Sequence, residues 1–220
     1  MDQAPAPVTI DVVSDVVCPW CYIGKRRLEA ALKLAPDVEV QVQWRPFQLD
    51  PTIPPGGIDR IEYLTRKFGA EKIDKIHDHI GAAGREVGID FQFGKITLSP
   101  NTLDAHRLIR WAAGSALQSE LVESLFSAYF IEGRDIGDHE VLLDLASRIG
   151  MSVDRVRSML KGEADVESVV DEISTAVRLG VSGVPFFIFA NQFAVPGAQS
   201  AEVLASAIER VVKGPTNEVA

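Results

Sequence analysis

The residues of this 220-residue chain best suited to covalent chemistry are its only two cysteines, which sit in a single tetrapeptide, Cys18-Pro19-Trp20-Cys21. A thiolate is the nucleophile of disulfide exchange, and a free thiol is mostly protonated at neutral pH. A helix N-terminus presents unpaired N–H groups and partial positive charge to a sulfur placed there. Two intervening residues set the second sulfur about one turn further on, near enough to close a disulfide or resolve a mixed one. Cys18 is therefore expected to be exposed and to attack, and Cys21 to be more buried and to resolve. The same pair could be half of a zinc site, but zinc takes about four ligands. No second cysteine pair exists, and the four histidines are His77, His79, His106 and His139. His77 and His79 are two apart, so on a helix they point to different faces. No metal is expected. Two unreactive buried cysteines are the remaining reading.

The elements around the pair suit redox chemistry. Val8-Thr-Ile-Asp-Val-Val13 is β-branched and reads as a strand. From Pro19, a residue tolerated at the first helical position, apolar positions recur at three- and four-residue steps until Pro36. Val38–Arg45 alternates like a half-buried strand, so the opening is strand–helix–strand with a parallel pair. Asp50–Gly57 is a Pro/Gly linker, and helical patterns follow over 59–68, 71–87, 103–116, 119–131, 139–149, 153–160 and 164–179. Asn101 or Thr102 is the candidate cap of the third, Gly150 the stop of the fifth, and Phe91–Phe93 a candidate short strand. Pro185–Ala190 reads as a buried strand, Asn191-Gln192 as a turn and Phe193–Val195 as a returning strand. A helix capped by Ser200 runs to Gly214-Pro215. The expected fold class is α/β: residues 1–50 and 164–220 share one mixed sheet, and 51–163 form an all-helical insertion between them.

Gly183-Val184-Pro185 precedes the buried strand, and a proline that cannot donate to a ladder belongs at a strand start. Beside a Cys-x-x-Cys in this element order, Val184–Pro185 is expected to be cis and near the active site. It would leave the Val184 backbone free to pair with an extended substrate. Trp20, Tyr22, Phe186 and Phe187 are candidates for an apolar rim, with at least one phenylalanine in the core. Lys25-Arg26-Arg27 reads as the solvated face of the first helix. Asp11 and Asp15 lie near the pair, and one could move a proton to or from Cys21; neither is assigned a role.

Composition excludes several classes. Two cysteines cannot staple a disulfide-rich secreted scaffold. A net charge of −9 argues against nucleic-acid binding. No apolar run reaches the ~18–20 residues of a membrane helix. The N-terminal residues lack a basic start and an apolar stretch, so no signal peptide is expected and the chain is placed in the cytoplasm.

With these segments in view, the chain resembles the DsbA-type thiol–disulfide oxidoreductases, and within them the FrnE-like branch. The likeness is carried by Ser14–Gly24, Ser99–Leu108, Val181–Phe186 and Val195–Gln199. It implies a thioredoxin-like fold with an inserted all-helical domain, Cys18 as nucleophile, Cys21 as resolving thiol and Pro185 as the cis-proline. Pro19, Trp20, Val184 and His106 are the expected substrate contacts, with His106, on a segment shared with the FrnE-like branch, either lining the cleft or partly buried and bonded to neighbouring backbone. The electrons reside in the cysteine pair, so no cofactor is implied, and the implied partners are disulfide-containing proteins or peptides, with glutathione as a further candidate. Kappa-class glutathione transferases and 2-hydroxychromene-2-carboxylate isomerases share this architecture but typically carry serine at the first cysteine's place. A glutathione-dependent transferase or isomerase is the alternative enzyme reading, and a peptide-binding chaperone the non-enzymatic one. The best-known periplasmic members have histidine before the second cysteine where this chain has Trp20. An indole cannot carry the charge of an imidazolium, so a less oxidising couple is expected.

Overall fold

The computed structural model describes residues 7–115 and 117–214. The opening folds as β1 (Val8–Ser14), α1 (Pro19–Leu34) and β2 (Val40–Pro46). β1 and β2 pair in parallel from Val8 opposite Val40 to Ser14 opposite Pro46. The chain returns as α8 (Val166–Arg178), β5 (Phe186–Phe189), β6 (Phe193–Pro196) and α9 (Ala201–Lys213). β5 pairs antiparallel with β1, and β6 with β5, giving the order β2-β1-β5-β6. β1 thus has neighbours on both sides, which suits its β-branched, nearly continuously buried sequence.

Alternation along the strands sorts side chains between two apolar clusters. Ile10, Val12, Phe187 and Phe189 join the main core with Leu28 and Ala31 of α1 and Leu204 and Ile208 of α9. Val13, Phe186 and Ile188 face the other way, against Ala176 of α8 and Val181. Phe186 and Phe187 are therefore both packing residues. The β5–β6 turn comes one residue earlier than expected: Ala190 (φ 47°) and Asn191 (φ 55°) are its left-handed positions, and Gln192 N–H donates to Phe189 O at 2.9 Å.

Between β2 and α8 lie α2 (Arg60–Phe68), α3 (Ala70–Glu86), α4 (Leu103–Ala113), α5 (Gln118–Ser127), α6 (His139–Arg148) and α7 (Val153–Lys161). Gly150 follows α6 at φ 82°, the left-handed stop read from the sequence. Three details differ from expectation. Ile58-Asp59 (β3) and Leu98-Ser99 (β4) form a two-residue antiparallel ladder at the mouth of the helical block. Phe93–Lys95 is a 3-10 turn, not a strand, because Gln92 N–H is used by Phe130 O, outside any sheet. The fourth helical pattern is interrupted: α5 gives way to a π turn over Ala128–Glu132, within which Ala128, Tyr129 and Phe130 are all buried.

The basic run of α1 is not a solvated face. Lys25 is 4 % exposed, and its Nζ lies 2.8 Å from Glu123 Oε2 of α5. Arg26 Nη2 also pairs with Glu123, at 2.5 Å, and Tyr22 donates its hydroxyl to the same carboxylate at 2.8 Å. Tyr22 is itself core, stacked on Phe126 at 4.9 Å between ring centroids, so it does not belong to a rim. These contacts fasten the helical block to the helix that carries the cysteines.

Candidate active site

Cys18 caps α1 with an extended backbone (φ −93°, ψ 114°), and Pro19 opens the helix where a missing N–H leaves nothing unpaired. Its carbonyl accepts the Cys21 N–H at 3.0 Å, and its own N–H donates to Asp15 O at 3.0 Å. The β1–α1 connection is thus wound tightly around the first sulfur. Both cysteines are free thiols. Cys18 is less exposed than the sequence suggests, at 5 %, but it lines a cavity of about 770 Å³ between the sheet domain and α2–α3. Cys21 is 1 % exposed and does not reach that cavity.

The Val184–Pro185 peptide is cis. The Cys18 thiol points at the Val184 carbonyl, Sγ to O 3.6 Å, a weak sulfur hydrogen bond joining two places 166 residues apart. Pro185 approaches α1 at Gly24, where a Cβ would stand 2.9 Å from its Cγ. Pro19, Trp20 and Val184 border the cavity with Cys18. Trp20 packs against His79 of α3, 5.5 Å between centroids. His77 stacks on Phe93 at 4.3 Å. Both histidines border the same cavity despite their two-residue spacing.

Behind the cysteines the groups are buried and polar. Burial pushes the Cys21 thiol well above its ordinary range, and its contact with Cys18 pushes the same way. The Ser14 hydroxyl and the Asp15 backbone act in the opposite sense. Asp15 is 1 % exposed; its Oδ2 accepts the Leu49 N–H at 2.8 Å, and its Oδ1 lies 3.4 Å from His106 Nε2. His106 is 3 % exposed and absent from the cavity lining. The expectation that it lines the cleft is corrected: α4 places it behind Asp15, where its ring meets the carboxylate instead of solvent. Asp15 does border the cavity, whereas Asp11 is taken up on the sheet edge by Arg45, at 2.5 Å.

Sequence reasoning missed Arg60 and Tyr129. Arg60 Nη1 donates to the Tyr129 hydroxyl at 2.8 Å, and that hydroxyl donates to Leu98 O at 3.1 Å. Burial raises the Tyr129 phenol to about 12, with the Arg60 charge working against that rise. Arg60 sits between a two-residue strand and a helix start, and Tyr129 in the π turn. Neither context leaves a periodic signal to read.

The model of the DSBA-like thioredoxin domain family matches residues 9–209. The chain belongs to that family. The DsbA-like match extends to the SCO1869 protein of Streptomyces coelicolor, a probable DsbA oxidoreductase. That protein is 31 % identical with a TM-score of 0.87, covering 95 % of this chain and 92 % of its own. The YwbO protein of Bacillus subtilis strain 168 is 27 % identical over 202 residues, 91 % of this chain and 96 % of its own. The cytosolic disulfide reductase DsbM of Pseudomonas aeruginosa shares the fold at 19 % identity and a TM-score of 0.66, over 93 % and 98 % of the two chains. The protein is a disulfide oxidoreductase with the DsbA-like thioredoxin fold. Among the described residues no helix is long and apolar enough to cross a membrane.

Proposed function

We propose that this DsbA-like protein exchanges disulfides through Cys18 and Cys21. The Cys18 thiolate attacks a substrate disulfide, one substrate thiolate leaves, and Cys21 displaces the other from the resulting mixed disulfide. The oxidised Cys18–Cys21 pair runs the same steps in reverse. The observation that carries this reading is the position of Cys18: at a helix N-terminus, on a cavity, 3.6 Å from the Val184 carbonyl, with Cys21 buried behind it. Pro19, Trp20 and Val184 are the substrate contacts in this reading, and Pro185 sets the position of Val184. His106 acts only through Asp15. Protein or peptide disulfides and small disulfides, glutathione's included, are the substrate classes, and the cytoplasm is the site of action, as it is for DsbM.

The test is trapping. Cys21→Ala should accumulate a substrate joined to Cys18, and Cys18→Ser should lose insulin reduction entirely. A Cys18→Ser protein that still turns over a glutathione-dependent substrate would overturn the reading in favour of a transferase or isomerase.

A further inference from the structure

The cavity beside Cys18 has an electrostatic character opposite to that of the whole chain. Arg60, Lys67, Lys72 and Lys75 border it, against the carboxylates of Asp15 and Asp50, in a protein of net charge −9. Arg60 is the informative one. It is 8 % exposed, so a guanidinium, a cationic group, is removed from water. A buried cation is ordinarily paired. Among the described residues Arg60 makes no ion pair; its one side-chain hydrogen bond is from Nη1 to the Tyr129 phenol, and Nε is buried without a partner. The phenol is neutral at physiological pH and supplies no counter-charge. Neither carboxylate comes within ion-pair distance of it among the described residues. Asp15 holds the Leu49 N–H and faces His106, and Asp50 accepts the backbone N–H of Thr52 at 3.0 Å. A second buried group on the same wall, the Ser99 hydroxyl, lies beside the Tyr129 phenol, near enough to favour its charged form, but makes no hydrogen bond of normal geometry among the described residues. The rest of the wall includes Leu49, Ile53, Leu64, Phe68, Ile76 and Ile80, and about 770 Å³ is the size of a small-molecule pocket.

We propose that this cavity binds a small apolar carboxylic acid, with Arg60 and Ser99 holding the carboxylate and the aliphatic wall of α2–α3 holding the body. Resting on the Cys18 reading above, the substrate class is then a compact apolar thiol or disulfide bearing an acid group. The reduced protein supplies both electrons to such a disulfide. Cys18 Sγ bonds to one substrate sulfur as the S–S bond breaks and one thiolate leaves. Cys21 gives up its proton and displaces the second thiolate, leaving Cys18–Cys21 oxidised.

Binding can be read without any redox step. Among the described residues Trp20 is the one tryptophan that borders the cavity, so the change in fluorescence on binding reports occupancy. 2-Naphthoate should quench it saturably and bind about tenfold or more tightly than 2-naphthalenemethanol, as expected for a charge-assisted hydrogen bond. Arg60→Gln should bring the two within about threefold of each other. Glutathione, which carries carboxylates without an apolar body, should bind about tenfold more weakly than 2-naphthoate. Equal binding of acid and alcohol to the unmodified protein would overturn the proposal whether or not the variant folds. So would a folded Arg60→Gln protein, judged by its melting curve, that keeps the preference. Tighter binding of glutathione would overturn the apolar half. In single turnovers of pre-reduced protein, Arg60→Gln should slow attack on 5,5′-dithiobis(2-nitrobenzoate) and spare 4,4′-dithiodipyridine. Undiminished reduction by Cys18→Ser would sink the thiol reading while leaving the pocket intact.

Discussion

Replacing Ser14 by alanine tests how the second thiol is made reactive. Ser14 ends β1, is 4 % exposed, and its hydroxyl has no hydrogen-bond partner among the described residues. It nonetheless opposes the rise in the Cys21 thiol that burial and Cys18 impose, because a hydroxyl beside that sulfur can donate to the thiolate. A hydrogen bond to a charged group contributes about 1.5–3 kcal/mol. Losing it lowers the thiolate fraction of Cys21 by about 10- to 100-fold at neutral pH. A thiolate of higher pKa is a better nucleophile, with a Brønsted slope of about 0.4–0.5, which offsets nearly half of the loss. The net expectation is resolution slowed by roughly 3- to 15-fold, with its pH profile moved to higher pH. The assay is stopped-flow reaction of reduced protein with 5,5′-dithiobis(2-nitrobenzoate) from about pH 6 to about pH 10, where the first thiolate released reports Cys18 attack and the second reports resolution. Only the second phase should slow. Stability should not fall at neutral pH, since the substitution removes an unpaired buried hydroxyl. Because the Cys21 thiol is raised in the folded state, its contribution to stability is present below the ordinary thiol pKa and declines as pH rises above it. Ser14→Ala should steepen that alkaline decline. Two phases slowed equally, or neither slowed at any pH, would refute the reasoning.

Gly24→Ala should destabilise the fold by about 1–3 kcal/mol in denaturant melts despite alanine's better helix propensity, because the added Cβ meets Pro185 Cγ at 2.9 Å and Phe187 Cζ at 3.3 Å. A neutral or stabilised variant would show that Pro185 yields at no cost. Tyr129, whose phenol is raised from 10.0 to about 12, should contribute stability below about pH 10 that is lost as pH climbs through 12, about 3 kcal/mol in full. Tyr129→Phe should abolish that alkaline slope while lowering neutral stability by about 1–3 kcal/mol, since Arg60 Nη1 and the Leu98 carbonyl lose their partner. Urea midpoints of both proteins at neutral and alkaline pH check this, and parallel pH profiles would contradict it.

What could be read from the sequence followed the range of the interactions that fix each feature. The strands β1, β2, β5 and β6 and helices α1 and α9 announce themselves because burial repeats at the period of the element, and Cys18-Pro19-Trp20-Cys21 carries its context within a few residues. Asp15 was visible but ambiguous: its neighbours in sequence do not reveal that α4 brings His106 to 3.4 Å behind it. The Lys25–Arg27 run has the composition of a solvated face, and only the arrival of Glu123 from α5 buries it. Arg60 was the least legible. The ladder that fixes it is two residues long, too short for any periodicity, and its partner Tyr129 projects from a π turn that breaks the helical register. A net charge of −9 conceals a local cationic wall, because the acidic residues that set the total lie mostly elsewhere on the chain. The difference has a physical cause. Exchange chemistry depends on two sulfurs one helical turn apart, which local sequence specifies. Selectivity depends on what faces those sulfurs, and in this fold that wall comes from a helical block between the two halves of the sheet, where its residues meet the cysteines only through tertiary packing.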